Sequence, residues 1–415
     1  MAITTTLIFA FVLYLAFLAV FLYVFVFADP ATSPTAEFLT ETLPAKATKQ
    51  LQKVLGPKSL SILEFFTDRL LIIIYCAVVF GAWSIIFNFV YPWIDRQDYV
   101  SSCHKWIGYA IFVACVGSWR LASTRSPGII TAKSLHRYDH FPYDDLLFVA
   151  NRKCQTTGIP RVARSKFDRL KYQKNVPRFD HFCGWVYNTI GEENYRFFLL
   201  FLFVHVGMCA YGATIVVFLF RGHILEKKLD EVVFFNRHTG EEMKASYTII
   251  VQYLFNTFTL ESATLLLMVV MGFALGLFLG YHIYLTSLGM TTNESYKWSD
   301  VRKWHKSELK RYNDALKKRQ PIIENYQKVQ PIVGDGDITC TPGSGPSTGA
   351  SNGAPAPNPA DAVQDPGPMP RNIYDRGFME NWKEVIFPLS LQKINSGPND
   401  ATTEDRPTAS KTKAT

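Results

Sequence analysis

Five long apolar runs decide what this chain can become. Leu7–Phe27 holds no charged residue and as a helix reaches about 31 Å at ~1.5 Å per residue, enough to cross the hydrocarbon of a bilayer. Comparable runs follow at about Leu70–Val90, Trp106–Ala122, Phe197–Phe220 and Ser262–Leu288, bounded by charged residues such as Arg69, Lys105, Arg196 and Arg221. In lipid every backbone N–H and C=O must be paired within its own segment. The runs therefore predict helices, and the chain reads as an all-α polytopic membrane protein with about five transmembrane helices. The third run is short and reaches full length if Arg120 snorkels to the interface. A cleaved signal peptide is the rival reading of the first run; the lack of Lys or Arg before it and Asp29-Pro30 after it argue against that.

Composition agrees. Charged residues make up 19% of the chain and apolar ones 48%, against roughly 25% charge in an average globular protein, which excludes a disordered chain. The net charge of +8 suits nucleic acid, anionic lipid or an anionic substrate, so its placement matters. Residues 125–196 carry 13 Lys/Arg against 7 Asp/Glu, whereas 221–246 carry 5 of each. The positive-inside rule puts 125–196 in the cytosol and 221–246 in the lumen.

The expected organisation follows from those spans. Residues 1–28 form an N-terminal transmembrane helix with a lumenal N-terminus, 29–66 a cytosolic loop and 67–124 a transmembrane hairpin. Residues 125–196 form a small cytosolic domain between the third and fourth spans, and 197–288 a second hairpin with the lumenal loop 221–246. Beyond it, 289–329 is a juxtamembrane helix, 330–370 a flexible Gly/Pro/Ser linker around Pro342–Pro346, 371–389 a short aromatic island that docks against something, and 390–415 a polar tail. The seven cysteines (Cys76, Cys103, Cys115, Cys154, Cys183, Cys209, Cys340) contain no CxxC pair, so neither a disulfide framework nor a cysteine-rich metal module is expected.

The candidate chemistry lies where the cytosolic segment enters the fourth span. Asp180-His181-Phe182-Cys183 places an acid, an imidazole and a thiol within four residues. An imidazole can take the proton of a thiol, and a carboxylate can fix the tautomer of that imidazole. A chance grouping in a polar loop is the plain alternative, but a reactive thiol at a membrane surface suits a reaction in which one partner is a lipid chain.

This stretch resembles the DHHC family of integral-membrane protein S-acyltransferases. Asp180–Cys183 matches the signature, with Asn194-Tyr195-Arg196 downstream; Val162-Ala163-Arg164-Ser165-Lys166 is similar to the Pro-Ala-Arg-Ser-Lys element. Thr291-Thr292-Asn293-Glu294 is similar to the Thr-Thr-x-Glu motif, and Asn372–Gly377 with Asn381 and Val385 to the C-terminal motif. The resemblance implies that Cys183 attacks an acyl-CoA thioester, that His181 is its base and that Asp180 orients His181. It further implies that Thr292 holds the Asp180 carboxylate, that Asn381 pins the C-terminal island, and that Trp185 supports the site. The implied substrates are palmitoyl-CoA or a similar acyl-CoA and membrane-associated proteins with a cytosolic cysteine, on an endoplasmic reticulum or Golgi membrane. A catalytically silent scaffold or chaperone of the same family is the alternative.

Relatives in that family carry two structural zinc ions, and here the ligand set is depleted. Only Cys154 remains among the early positions; Thr157, Phe167 and Asp168 stand at the next three, Phe182 replaces the second His of the signature, and Thr189 replaces the following Cys. Phe supplies no lone pair to a metal. No metal site is expected, with packing of Phe167, Phe179, Phe182 and Trp185 holding the domain instead, and Cys154 reads as a residual structural thiol.

Arg161, Arg164, Lys166 and Arg169, with Lys171 and Lys174, form a basic run. It fits anionic headgroups or the phosphates of CoA, and the sequence leaves both open. No nucleic-acid-reading module accompanies it. Glu261, His205, Tyr281 and His282 are read as interface or packing groups. Lys411 and Lys413 stand in a Lys-x-Lys-x-x arrangement that favours the endoplasmic reticulum.

Overall fold

Helix formation follows the apolar runs closely. The computed structural model describes residues 69–235, 240–317, 322–323 and 363–395, with isolated positions at Phe38, Lys46 and Phe65. The first expected span, most of the 29–66 loop, most of the 330–370 linker, Cys340 and the tail with Lys411 and Lys413 lie outside the described residues. Within them, four helices are long and apolar enough to cross a membrane: α1 (Arg69–Asp95), α2 (Cys103–Thr124), α4 (Tyr195–Glu226) and α6 (Thr259–Ser287). Between α2 and α4 stand the short helix α3 (Leu135–Tyr138) and two hairpins, β1 (Lys166–Asp168) with β2 (Lys174–Val176), and β3 (His181–Cys183) with β4 (Asn188–Ile190). Between α4 and α6 come a hairpin of β5 (Val233–Phe235) and β6 (Glu242–Lys244), then helix α5 (Tyr247–Thr257); α7 (Thr292–Lys317), α8 (Phe378–Ile386) and α9 (Leu389–Asn395) follow α6. The chain is mostly helical, as expected, but its reactive segment is a β-hairpin.

Two compact units divide the chain. Among the described residues, the first comprises those up to Arg120, Gly184–Tyr187 and those of Phe201–Leu277. Its core joins Val90, Tyr91 and Ile94 of α1 to Ile215 and Leu219 of α4, and Cys209, Val216 and Phe220 to Ile250, Leu254 and Met268 of α5 and α6. Trp93 stacks on Phe258 at 4.2 Å between ring centroids. Pro92 has no N–H for the helix ladder, and α1 widens to a π turn over Ile86–Val90 just before it. The β3–β4 turn leans on α1, because a Cβ on Gly184 would fall 2.6 Å from Leu71 Cδ1 and the Arg69 guanidinium lies 4.6 Å over the Tyr187 ring.

The second unit comprises Leu121–Cys183, Asn188–Leu200 and the described residues from Phe278 onward. Asn188 and Asn194 close the end of α2: Asn188 Nδ2 donates to the carbonyls of Ala122 (2.8 Å) and Arg125 (2.9 Å), and Asn194 Nδ2 to those of Arg125 and Thr189. The carbonyls of Ala122 and Arg125 stand at the helix terminus, where backbone acceptors lack intrahelical partners. A small core of Phe141, Leu147, Phe148, Ala163, Trp298, Val301 and Tyr374 binds α7 and the C-terminal island to the segment after α3. The island buries Tyr374 and Val385, while Phe378 and Phe387 stay exposed.

Polar contacts, rather than the expected aromatic packing, hold the two central hairpins. Phe167, Phe179 and Phe182 are only half-buried and Trp185 is 45% exposed. The hairpins bury the polar residues Asp168, Asn175, Asn188 and Thr189 beside Val176, Cys183 and Ile190. Asp168 accepts hydrogen bonds from Thr189 Oγ1 (2.9 Å), Tyr172 N (2.8 Å) and Leu170 N (3.1 Å), and Asn175 Nδ2 donates to Thr157 Oγ1 at 3.1 Å. The expectation missed that Thr157, Asp168 and Thr189, poor zinc ligands as a set, are good hydrogen-bonding partners for one another and for Asn175. One thiol with hydroxyls, an amide and a carboxylate already saturated by N–H and O–H donors does not fit a tetrahedral zinc site.

Candidate active site

Strand β3 brings the reactive groups together. In a strand, residues two apart face the same side, so His181 and Cys183 project together; β3 pairs antiparallel with β4 in the register His181 to Ile190 and Cys183 to Asn188. His181 Nδ1 meets Asp180 Oδ2 at 2.5 Å. That contact leaves Nε2 for the Cys183 thiol, which lies close enough to the ring to raise its pKa. Cys183 is buried, Asp180 is 1% exposed and the His181 side chain is 22% exposed.

The start of α7 completes the site. Thr292 N donates to Asp180 Oδ1 at 2.7 Å and Thr292 Oγ1 to Oδ2 at 3.0 Å. An N-terminal turn presents unpaired N–H groups and a positive dipole end, which suits a carboxylate. Thr291 and Glu294 form a reciprocal cap: Glu294 N donates to Thr291 Oγ1 (3.2 Å) and Thr291 N to Glu294 Oε2 (2.9 Å). Capping and site building are thus both carried by the same four residues.

Charge in the site follows from these contacts. Burial raises the Asp180 carboxyl, but the hydrogen bond and charge of His181 outweigh it and hold Asp180 below the usual carboxylate range. Burial disfavours the imidazolium of His181, yet the bond to Asp180 and the nearness of Cys183 prevail and its pKa lies above the ordinary value. Asp180, His181 and His282 bring ligating atoms within 4.8 Å of one another. Three lone pairs of Asp180 are already engaged by N–H and O–H donors, so the cluster is a hydrogen-bonded relay.

The basic run is less uniform than its sequence suggests. Arg164 is 1% exposed. Its Nε and Nη2 reach the two oxygens of Glu294 at 2.7 Å each, Nη2 also reaches Gly289 O (2.8 Å), and Nη1 reaches Glu384 Oε1 (3.0 Å). The expected phosphate contact of Arg164 is therefore corrected: every arm of its fork is occupied inside the protein. Lys166 donates to Asn293 Oδ1 at 3.1 Å, Arg161 is half-buried and Arg169 is exposed.

Glu384 of α8 gathers three guanidiniums, from Arg164, Arg178 (2.9 Å) and Arg376 (2.5 Å). Arg164 and Arg178 both sit in left-handed backbone, at φ 63 and 42, a conformation that a branched fixed geometry must hold in place. Asn381 donates to Ser287 O (3.0 Å) and Asp375 Oδ1 (2.8 Å). Gly289 must be glycine here: its φ is +63 and a Cβ would fall 2.5 Å from Tyr374 O. Glu384 and Arg178 were not legible as site supports, since buried ion pairs between residues far apart in sequence leave no periodic signal.

The segment that holds these residues is similar to known proteins. The model for the DHHC palmitoyltransferase family matches residues 148–299, which contain the relay and the first turn of α7. Residues 148–299 carry a DHHC-family domain. Among its DHHC relatives, palmitoyltransferase SWF1 of Yarrowia lipolytica is 28% identical over 337 residues, 77% of this chain and 79% of the relative. Palmitoyltransferase ZDHHC4 of Bos taurus is 31% identical over 218 residues, 50% of this chain and 61% of the relative, and that of Mus musculus 33% over 193 residues, 44% and 54%. The match thus spans a little over half the length of these mammalian relatives. The DHHC-family domain and four apolar helices together make this a multi-pass membrane protein.

Proposed function

We propose that the chain is a protein S-palmitoyltransferase that moves a fatty acyl group from acyl-CoA to cysteines of cytosol-facing proteins through an acyl-Cys183 intermediate. The Asp180–His181–Cys183 relay, braced by Thr292, is the observation that carries this reading. In the first step the Cys183 proton passes to His181 Nε2, Sγ bonds to the thioester carbonyl carbon, and the C–S bond to CoA breaks. The CoA thiolate leaves and takes the proton from His181. In the second step a substrate cysteine gives its proton to His181, its sulfur bonds to the acyl carbon, and the proton returns to Cys183 as the C–S bond to it breaks. Burial of the chain in the membrane helices contributes roughly 0.8 kcal/mol per CH2.

Asp180 sets the tautomer of His181, and Thr292 holds Asp180. Asn381 fixes the island beside the start of α7, and Trp185 lies on the exposed turn after the nucleophile. Arg161, Lys166 and Arg169 are the basic groups proposed to meet CoA phosphate; Arg164 is not. The positive balance of 125–196 supports a cytosolic site on an endoplasmic reticulum or Golgi membrane. The silent-scaffold reading is not favoured, because the relatives are named as enzymes and the nucleophile is retained.

Incubating the purified chain with labelled palmitoyl-CoA is expected to give a hydroxylamine-sensitive label that passes to a cysteine peptide and is absent from Cys183→Ala. A wild-type protein that takes no label would remove the reading. The hydrogen bonds among Thr157, Asp168, Asn175 and Thr189 support a zinc-free domain. Metal analysis of the purified chain is expected to find well under one zinc per chain, and two per chain would contradict that proposal.

A further inference from the structure

The relay handles the proton of Cys183 but offers nothing to the negative charge that the thioester oxygen gains when sulfur attacks. N–H donors aimed at that oxygen are a main source of acceleration in acyl transfer. Among the described residues, one fully buried imidazole beside the relay has a nitrogen without a partner. His282 on α6 is 0% exposed and its Nε2 meets no hydrogen-bonding group. Its ring centroid lies 5.8 Å from that of His181. Phe198 and Phe278 pack edge to face against it at 5.0 and 4.6 Å and fix its plane.

The other nitrogen determines which atom carries the proton. His282 Nδ1 lies 2.9 Å from the Tyr195 hydroxyl, and Thr286 Oγ1 donates to that same hydroxyl at 3.4 Å. A hydroxyl that accepts from Thr286 has its own proton to give, and Nδ1 is the acceptor beside it. Nδ1 therefore accepts and Nε2 carries the ring hydrogen. A buried N–H without an acceptor is costly to leave unmade, so its retention calls for an explanation outside the protein's own groups.

We propose that His282 Nε2–H donates to the thioester carbonyl oxygen as Cys183 attacks, so that His282 is a further catalytic residue and Tyr195 and Thr286 are its positioning residues. As Sγ bonds to the carbonyl carbon, the C=O π pair moves to oxygen, where the Nε2–H bond shortens. Collapse returns that pair to the carbonyl and expels the CoA thiolate, which takes the proton held on His181. His282 keeps its own proton throughout. The proposal rests on the acyl-Cys183 reading.

The test uses the full chain in detergent and two reactions of the same sulfur. Acylation by palmitoyl-CoA passes through an oxyanion, whereas alkylation by iodoacetamide does not; both are followed at the Cys183 peptide by mass spectrometry. His282→Leu is expected to lower the single-turnover acylation rate by about 10²–10³-fold, with KM and the alkylation rate little changed. His282→Gln, which returns an N–H near the position of Nε2, recovers much of that loss, and Tyr195→Phe costs about tenfold. Acylation of His282→Leu at the wild-type rate, or a parallel fall in acylation and alkylation, overturns the proposal. Should His282→Leu fail to fold, Tyr195→Phe and His282→Gln decide: a wild-type acylation rate in Tyr195→Phe, or no acylation in a folded His282→Gln, counts against it. Label persisting in Cys183→Ala would instead sink the underlying reading.

Discussion

Asp180→Asn is expected to lower acylation of Cys183 by about 10³–10⁴-fold with the fold intact, as when the acid of a nucleophile–His–acid relay becomes an amide. The carboxylate receives three donors, His181 Nδ1, Thr292 N and Thr292 Oγ1. An amide in its place must turn an N–H toward one of them. Facing Thr292, it opposes the helix start; facing His181, it forces the proton onto Nε2, where the ring can no longer take one from sulfur. His181→Ala removes the base itself and is expected to cost about 10²–10⁴-fold. Single-turnover labelling measures both, and an Asp180→Asn rate within tenfold of wild type would show that the carboxylate is not part of the relay.

The same pair sets a pH window. Asp180 titrates lower in the folded chain than unfolded, so its contribution to stability is complete above about 3.9 and fades as pH falls through the depressed value. His181 titrates higher, so its contribution is complete below about 6.5 and fades as pH rises through the raised value. The relay is therefore expected to stabilise the fold most between about pH 4 and 6.5. Thermal melting of wild type against Asp180→Asn across pH 4–9 should show the largest gap in that interval.

The second large effect belongs to Glu384. Its replacement by Ala leaves the guanidiniums of Arg164 and Arg178 buried without their shared partner, a class of change that costs about 3–5 kcal/mol. Burial raises the carboxyl of Glu384, but Arg164, Arg178 and Arg376 together hold it below the ordinary range. The network is thus complete above about pH 4.3 and is lost only as pH falls through that depressed value. Glu384→Ala is expected to lower the melting midpoint in detergent by several degrees throughout pH 5–8, and a shift under about 2 °C would mean that the charges find other partners. Arg164→Lys is expected to be nearly as damaging, because one ammonium cannot reach Glu294, Glu384 and Gly289 O together.

Much of this was legible in the sequence, and the reasons differ by element. The four described spans were readable because lipid admits little but helix for such runs, although α4 continues to Glu226, beyond the predicted Phe220. Asp180, His181, Cys183 and Thr292 were readable because their chemistry is concentrated in short motifs, and the structure brings all four together. The hairpins were not, since strands of three residues carry too little alternation to register. Helix α5, an apolar turn sequence capped by Ser246, was overlooked beside the stronger run that follows it. Arg164 misled because a basic run looks like surface, and only its distant partners Glu294 and Glu384 explain its burial. His282 reads from the sequence as a packing group, because its contact with Tyr195, 87 positions away, leaves no local signal.

The most direct test of the account is to locate the acyl group after a single turnover with palmitoyl-CoA. The rival thiol is Cys154: burial alone would raise it, but hydrogen bonds from Thr157, the loop amides and Asn175 outweigh that and leave it below its ordinary value. Peptide mapping by mass spectrometry is expected to place the thioester on the peptide containing Cys183 and leave Cys154 unmodified. An acyl group on Cys154, with Cys183 free, would contradict the account.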